Sequence, residues 1–284
     1  MPYLGLLLNA LVWGLSWWPL RQLQSMGLHA VWATLVFFLL GTLLISVWQP
    51  RAWRTLRHTP TLWWLALAAG GTNAAFNWGI STGEVVRVVL LFYLMPLWAV
   101  GLAWWLLGER VTPSALVRIA LALIGALLVL KPESGGWPHF NGLADWLGLA
   151  GGAGFALTNV LLRRHADTPS SARALSMFLG GIALPGVLGL ILVPQGLVSP
   201  WPALETGWLP AALAMGAVFF FSNLAMQYGA ANVPVHITSV VMLTEVVFAT
   251  SSAVLIGGET LRPMVLLGGA FILVAALLAT RDET

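Results

Sequence analysis

The sequence predicts an all-α integral membrane protein with ten transmembrane helices in two inverted five-helix repeats. Three observations carry that expectation. The 284 residues are 59% hydrophobic and only 8% charged, against about 25% charged in a soluble domain, so most of the surface must face lipid. Ten apolar runs approach the roughly 20 residues a helix needs to cross a bilayer core about 30 Å thick. Features of the first five runs return in the last five at a nearly constant offset.

The first run, residues 3 to 20, reads as a retained helix, because it lacks a basic leader and an A-x-A site and Arg21 follows the apolar stretch. The second, 28 to 48, ends at Gln49-Pro50; the third, 61 to 82, opens after Thr59-Pro60. The fourth and fifth, 88 to 107 and 114 to 130, are separated by Thr112-Pro113. A polar stretch from Pro132 to Gly142 precedes the sixth run, 143 to 162, and Thr168-Pro169 separates it from the seventh, 174 to 193. Pro200 to Pro202 leads into the eighth, 206 to 229; the ninth and tenth are 235 to 256 and 263 to 280. Inside these runs the charged residues are Arg118, Asp145 and Glu245. Barrel strands are excluded, since the runs are twice a strand's length and do not alternate apolar with polar. Many of the 16 tryptophans sit near run ends, as an interfacial belt requires, but Trp13, Trp17, Trp78 and Trp98 lie deeper.

The repeat is legible without gaps. A shift of 150 carries Gly108-Glu109 onto Gly258-Glu259, Pro113 onto Pro263, and Asn73, Asn77 and Gly79 onto Asn223, Gln227 and Gly229. A shift of 142 carries Ser16 onto Thr158 and Arg21 onto Arg163. The halves are residues 1–130 and 143–284, joined by a linker over 131–142. Because five is odd, equivalent helices cross in opposite senses, and the basic residues exchange loops accordingly. Arg51, Arg54 and Arg57 follow run 2, whose counterpart loop has none, whereas Arg163, Arg164 and Arg173 flank the loop after run 6. The excess of Arg on one side places both termini in the cytoplasm. Arg87 is the one basic residue that falls against the pattern.

Trp13-Gly14, Pro96, Gly108-Glu109, Thr244-Glu245 and Gly258-Glu259, set in ten runs, resemble the EamA family of the drug/metabolite transporter superfamily over nearly the whole chain. The Trp-rich opening NALVWGLSWWPLRQL is most similar to YddG-type exporters of aromatic amino acids. That resemblance implies export of aromatic amino acids and related small metabolites across a bacterial inner (plasma) membrane.

Carriers built from inverted repeats bind substrate near the midplane, so deep polar and aromatic groups are the candidates. Asn9, Trp13, Ser16 and Trp17 share one face of run 1; Phe155, Thr158 and Asn159 are their counterparts. Runs 3 and 8 supply Asn73, Asn77, Trp78, Asn223 and Gln227, and Phe92 adds a ring in run 4. The same amides could instead glue helix to helix. Glu245 is the acid in mid-run, as a proton site, a partner for a substrate ammonium or a structural carboxyl. Glu109 and Glu259, beside Pro113 and Pro263, read as caps of the helices that follow them. His236 reads as a surface histidine. Pro96 removes a ladder hydrogen bond in run 4 and is the candidate gate; Val246 replaces it in run 9, so the halves should not hinge alike. The glycine pairs 70–71, 151–152 and 180–181 read as close helix contacts.

With no Cys, no H-E-x-x-H and no P-loop, the sequence points to neither an enzyme, a cofactor nor a metal, and its scattered arginines do not suggest nucleic acid. The partners expected are the bilayer and a small-molecule substrate, moved by alternating access and uncoupled. The alternatives are a proton-coupled antiporter of other metabolites or drugs, a channel, or an intramembrane enzyme.

The arginine exchange has a direct test in a chain without native cysteine. Single cysteines at Thr55 and Thr168 should react with an impermeant maleimide only from the cytoplasm, and one at Trp137 only from outside; labelling of the first two from opposite faces would refute the topology.

Overall fold

The structure is a computed structural model that describes residues 2–132, 135–233 and 235–279; the side chains of Gln227, Ala230, Ala231, Val235, His236, Ser239 and Ala279 also lie outside the description. Among the described residues there are fourteen α-helices, one 3-10 turn and no strand. The first half holds α1 (Pro2–Leu15), α2 (Trp17–Ser25), α3 (Ala30–Trp48), α4 (Arg51–His58), α5 (Leu62–Thr82), α6 (Val85–Phe92), α7 (Met95–Leu107) and α8 (Pro113–Leu130). The second holds α9 (Leu143–Arg164), α10 (Ser170–Leu192), α11 (Trp208–Asn232), α12 (Val235–Met242), α13 (Thr244–Leu255) and α14 (Pro263–Ala279).

Six stretches are long and apolar enough to cross a membrane: Pro2–Ser25, Ala30–Trp48, Val85–Leu107, Pro113–Leu130, Ser170–Leu192 and Trp208–Met226, with shorter apolar helices over Val240–Leu255 and Pro263–Leu278. The protein is therefore a multi-pass helical membrane protein. Helices α5 and α9 are diluted by Asn73, Asn77, Asp145, Asn159 and their glycines, and much of their polar surface is turned inward.

Three of the expected runs are broken rather than continuous. The chain turns at Ser16 between α1 and α2, at Tyr93–Leu94 between α6 and α7, and at Leu243 between α12 and α13. Each break leaves backbone groups outside the helical ladder, and each carries a local feature that limits the cost. Ser16 Oγ donates to the Trp13 carbonyl at 2.6 Å, and Thr244 Oγ1 to the Val241 carbonyl at 2.6 Å. Pro96 lies in the first turn of α7, where a missing N–H removes no intrahelical bond. Runs 4 and 9 thus break at equivalent places, 93 and 243, contrary to the expectation from Val246. The two breaks are accommodated differently: in run 9 the Thr244 hydroxyl donates to a carbonyl, and in run 4 Pro96 leaves no orphan N–H at the start of α7. Run 6 forms one unbroken helix, α9, in which Thr158 Oγ1 returns to the Gly154 carbonyl at 2.9 Å.

The main packed pairs are α5 with α9, α1 with α11, α5 with α10, α3 with α11, α7 with α9, α1 with α13, α6 with α9, α1 with α12, α3 with α10, and α8 with α14. These pairs map onto one another when each half's helices are exchanged for their sequence counterparts, whereas α4 with α10, α3 with α5 and α6 with α13, packed as extensively as α1 with α12, have no counterpart pair of similar extent. Glycine permits the closest crossings. A methyl at Gly180 would overlap the Ala66 carbonyl, one at Gly70 the Gly180 carbonyl and one at Gly152 the Phe92 carbonyl. Gly125 and Gly268 each leave a Cβ position only 2.6 Å from the other's carbonyl, locking α8 to α14.

Two charged features depart from the sequence reading. The stretch after run 2 is an amphipathic helix, α4, that buries Ala52 and Leu56 and turns Arg51, Arg54 and Arg57 outward. Arg87, the exception to the charge pattern, is 2% exposed. Its Nε and Nη2 bond both oxygens of Asp145 at 2.8–2.9 Å, and its remaining donors meet the carbonyls of Val129 at 3.1 Å and His139 at 2.9 Å. Asp145 also accepts the Asn141 N–H at 2.7 Å. This arginine ties α6, the end of α8, the linker and the start of α9 together.

Arg87→Ala should lower stability by about 3–5 kcal/mol by stranding the Asp145 charge. Replacing both residues by Leu should recover much of that loss. Thermal unfolding in detergent, followed by tryptophan emission, checks both; an equal loss in the single and double variants would contradict the account.

Candidate functional site

The breaks in runs 1, 4 and 9 converge. Tyr93, at the break between α6 and α7, donates its hydroxyl hydrogen to Glu245 Oε2 at 3.2 Å, in the first turn of α13. A Cβ at Gly14, two residues before the break in run 1, would lie 2.8 Å from the Glu245 carbonyl oxygen and 2.7 Å from Phe248 Cβ, so α1 rests directly on α13 here. Half-helices that end inside a bundle expose backbone dipoles and polar side chains where a substrate can use them.

From Glu245 a row of rings runs through the bundle. Tyr93 meets Phe92 edge-on at 5.9 Å; Phe92 lies 5.5 Å from Phe155 and 4.7 Å from Phe76; Phe76 lies 6.1 Å from Trp13. Trp13 continues to Phe219 at 4.6 Å, and Phe219 to Phe37 at 5.3 Å. The row ends in a cleft between the halves lined by Trp13, Phe37, Phe38, Asn77, Phe219 and Asn223, among others. Its free volume of ≈ 20 Å³ is room for little more than a water molecule, so the cleft is shut in this state.

The polar groups at the cleft are amides. Asn77 is 1% exposed; its Nδ2 donates to Thr34 Oγ1 at 2.9 Å, while its Oδ1 is buried with no hydrogen-bond partner. Asn223 Nδ2 returns to the Phe219 carbonyl at 2.9 Å, and Asn9 Nδ2 reaches Ser222 Oγ at 3.4 Å and Asn223 Oδ1 at 3.5 Å. An unmet buried acceptor costs about 1–3 kcal/mol, which a donor on a bound molecule would recover. Among the described residues no side chain lining the cleft is cationic. The site therefore offers acceptors and aromatic surface. Among the described residues no three His, Asp or Glu side chains cluster as metal ligands.

The structure thus gathers Asn9, Trp13, Asn77, Phe92, Phe155, Asn223 and Glu245 along one path. It places the other candidates elsewhere. Trp17 is buried against α13, its Nε1 donating to Ser252 Oγ at 2.9 Å, and does not line the cleft. Trp78 packs edge-on against His29 at 5.0 Å and faces a separate polar cavity of ≈ 800 Å³. Ser16 and Thr158 serve their own backbone, Asn73 bonds the Ala69 carbonyl at 2.8 Å, and Asn159 is exposed. Pro96 is buried in the first turn of α7. Gln227 falls outside the described side chains, as does His236. Sequence reasoning missed Tyr93, Phe76, Phe37 and Phe219; Phe219, four residues before Asn223, and Phe76, three after Asn73, share a face with residues already singled out.

Broken helices meeting above a closed cleft, in a multi-pass helical protein, define a membrane transporter of small molecules. The chain belongs to the EamA-like transporter family, which it matches over residues 1–131 and 142–281. It is 29% identical over 227 residues to an uncharacterized transporter of Archaeoglobus fulgidus, covering 80% of this chain and 78% of that one. It is likewise 29% identical over 284 residues to the chloramphenicol-sensitive protein RarD of Pseudomonas aeruginosa, covering 93% and 86%. A protein of known crystal structure shares the fold with a TM-score of 0.57 and 21% identity, over 100% of this chain and 99% of the other.

A double-mutant cycle over Tyr93→Phe and Glu245→Gln, read by unfolding in detergent, should return a coupling of about 0.5–3 kcal/mol. Simple additivity would mean that the two side chains do not act on each other.

Proposed function

We propose that the protein exports small molecules bearing an aromatic ring and an amino group, aromatic amino acids among them, across a bacterial inner membrane by uncoupled alternating access. The observation that carries this reading is the unpartnered Asn77 Oδ1 at the end of an aromatic row that leads to Glu245. An ammonium finds acceptors at Asn77 and Glu245, a ring finds Trp13 and Phe219, and a substrate carboxylate would turn to the amide N–H groups of Asn9 and Asn223. Asn9, Trp13, Asn77, Phe92, Phe155, Asn223 and Glu245 are the substrate-facing residues in this reading.

Ten crossings in two inverted halves are part of the same proposal. The recurrence of the most closely packed pairs between counterpart helices supports it. A zwitterion carries no net charge through the membrane potential, so a tenfold internal excess, worth about 1.4 kcal/mol, suffices to drive it outward.

Counterflow in proteoliposomes with labelled Phe, Trp and Thr tests the reading. Trp13→Ala should lower Phe and Trp exchange about tenfold, from lost ring contacts and area, while sparing Thr. An equal fall for all three would make Trp13 a packing residue and overturn the aromatic preference. Acceleration of the wild type by a pH gradient, lost in an active Glu245→Gln variant, would replace uncoupled export by proton exchange. Because the name of one relative refers to chloramphenicol, itself a nitrophenyl compound, that drug is the informative competitor for widening the substrate class.

A further inference from the structure

The two Gly-Glu motifs do not cap the helices that follow them. Thr112 Oγ1 caps α8 by accepting the Ala115 N–H at 3.1 Å, while both glutamates reach across to the opposite half. Glu259 accepts the Val85 N–H at 2.7 Å and the Val86 N–H at 3.2 Å, capping α6 of the first half, and lies 3.7 Å from Arg21 Nη2. Glu109 accepts from Arg163 of the second half. Arg21 and Arg163 are counterparts under the shift of 142, and Glu109 and Glu259 under the shift of 150. One Arg–Glu pair is therefore built twice, each time between halves. Three crossing segments separate Arg21 from Glu109, so the copies sit at opposite ends of the bundle.

The copies are unequal. Arg21 and Glu259 are 31% and 15% exposed, Arg163 and Glu109 58% and 44%. Arg21 also donates to the Gly83 carbonyl at 2.6 Å and lies 4.8 Å over the Trp17 ring, and Arg262 pairs with Glu84 beside it at 3.4 Å. The inequality is written in the sequence: Trp17, Glu84 and Arg262 have Asn159, Pro234 and Thr112 as counterparts, none of which can repeat those contacts. Both pairs are formed together in a state whose central cleft is shut.

We infer that Arg21–Glu259 and Arg163–Glu109 are positioning pairs that latch the two ends of the transport cycle, with the Arg21–Glu259 end the firmer, so that the Arg163–Glu109 end opens first. This rests on the alternating-access reading. Opening one end breaks one pair, while the other keeps the opposite end sealed. An exposed ion pair is weak; at the firmer end Glu259 is held by two charge-assisted bonds from the N-terminus of α6, and Arg21, anchored on the Gly83 carbonyl, adds its charge from 3.7 Å.

Two matched reporters test it in the full chain. Ala103 and Ala253 are counterparts under the shift of 150, 8% and 0% exposed, and their carbonyls accept the N–H groups of Glu109 and Glu259. In proteoliposomes a cysteine at Ala103 should react with maleimide faster than one at Ala253. Glu259→Gln, and separately Arg21→Gln, should raise Ala253→Cys labelling about tenfold and lower that of Ala103→Cys. Glu109→Gln should do the reverse by about twofold, and the exchange Glu109→Arg with Arg163→Glu should restore it. Unchanged labelling in folded variants, or labelling that rises at both ends together, would overturn the latches. Circular dichroism and the thermal midpoint separate that second outcome from unfolding, and Arg21→Gln, which leaves the α6 cap in place, provides the milder variant. The readout needs no substrate: reciprocal labelling without Phe or Trp exchange would uphold the latches and sink the aromatic reading, and exchange without reciprocity would do the opposite.

Discussion

No water is available in the core of a bilayer to satisfy a peptide group, and this limit on the backbone organises the whole molecule. A helix meets it by construction. A helix interrupted in mid-membrane meets it only where another group takes over or the exposed group is absent: the Ser16 and Thr244 hydroxyls donate to carbonyls at two breaks, and Pro96 removes an orphan N–H at the third. The interruptions place polar atoms, and nearly all of the site's chemistry, at a depth where every such atom is expensive. Tyr93 and Glu245 answer one another across two of these breaks. At the cleft, Asn77 Oδ1 is left without a hydrogen-bond partner.

The same economy governs packing. Lipid offers helices no hydrophobic reason to associate, so contact depends on dispersion, on hydrogen bonds and on bringing backbones close. The glycines at 70, 125, 152, 180 and 268 do the last of these, and the nearest neighbour of each belongs to the other half. The buried ion pair of Arg87 with Asp145 follows a stricter rule. A guanidinium in this setting is tolerable because a carboxylate and two carbonyls accept from each of its three nitrogens.

What could be read from the chain alone was whatever repeats along it or shuns charge. The apolar runs, the glycine pairs, the shift of 150 and the inward amides Asn9, Asn77 and Asn223 are of this kind. What could not be read depends on partners far apart in sequence. Arg87 was legible as an anomaly but not as the mate of Asp145. Glu259 was legible as a capping residue, but the helix it caps begins 174 residues earlier, at Val85. Val246 concealed the break in run 9, since a hydroxyl two residues before it replaced the proline that pattern reading looks for. Trp17 and Trp78 share the composition of substrate-binding rings; only the packing of α1 on α13 and of Trp78 on His29 distinguishes them from Trp13.

Because α1, α3 and α5 find their closest partners in α9, α10 and α11, the bundle has a consequence for its birth. A ribosome adding about 5–20 residues per second delivers the first half well before the second. For that interval Asn9 and Asn77 stand in the membrane without the helices that later cover them. The nascent first half thus depends on the insertion machinery, or on transient pairing among its own spans, to shelter its amides until α9 arrives.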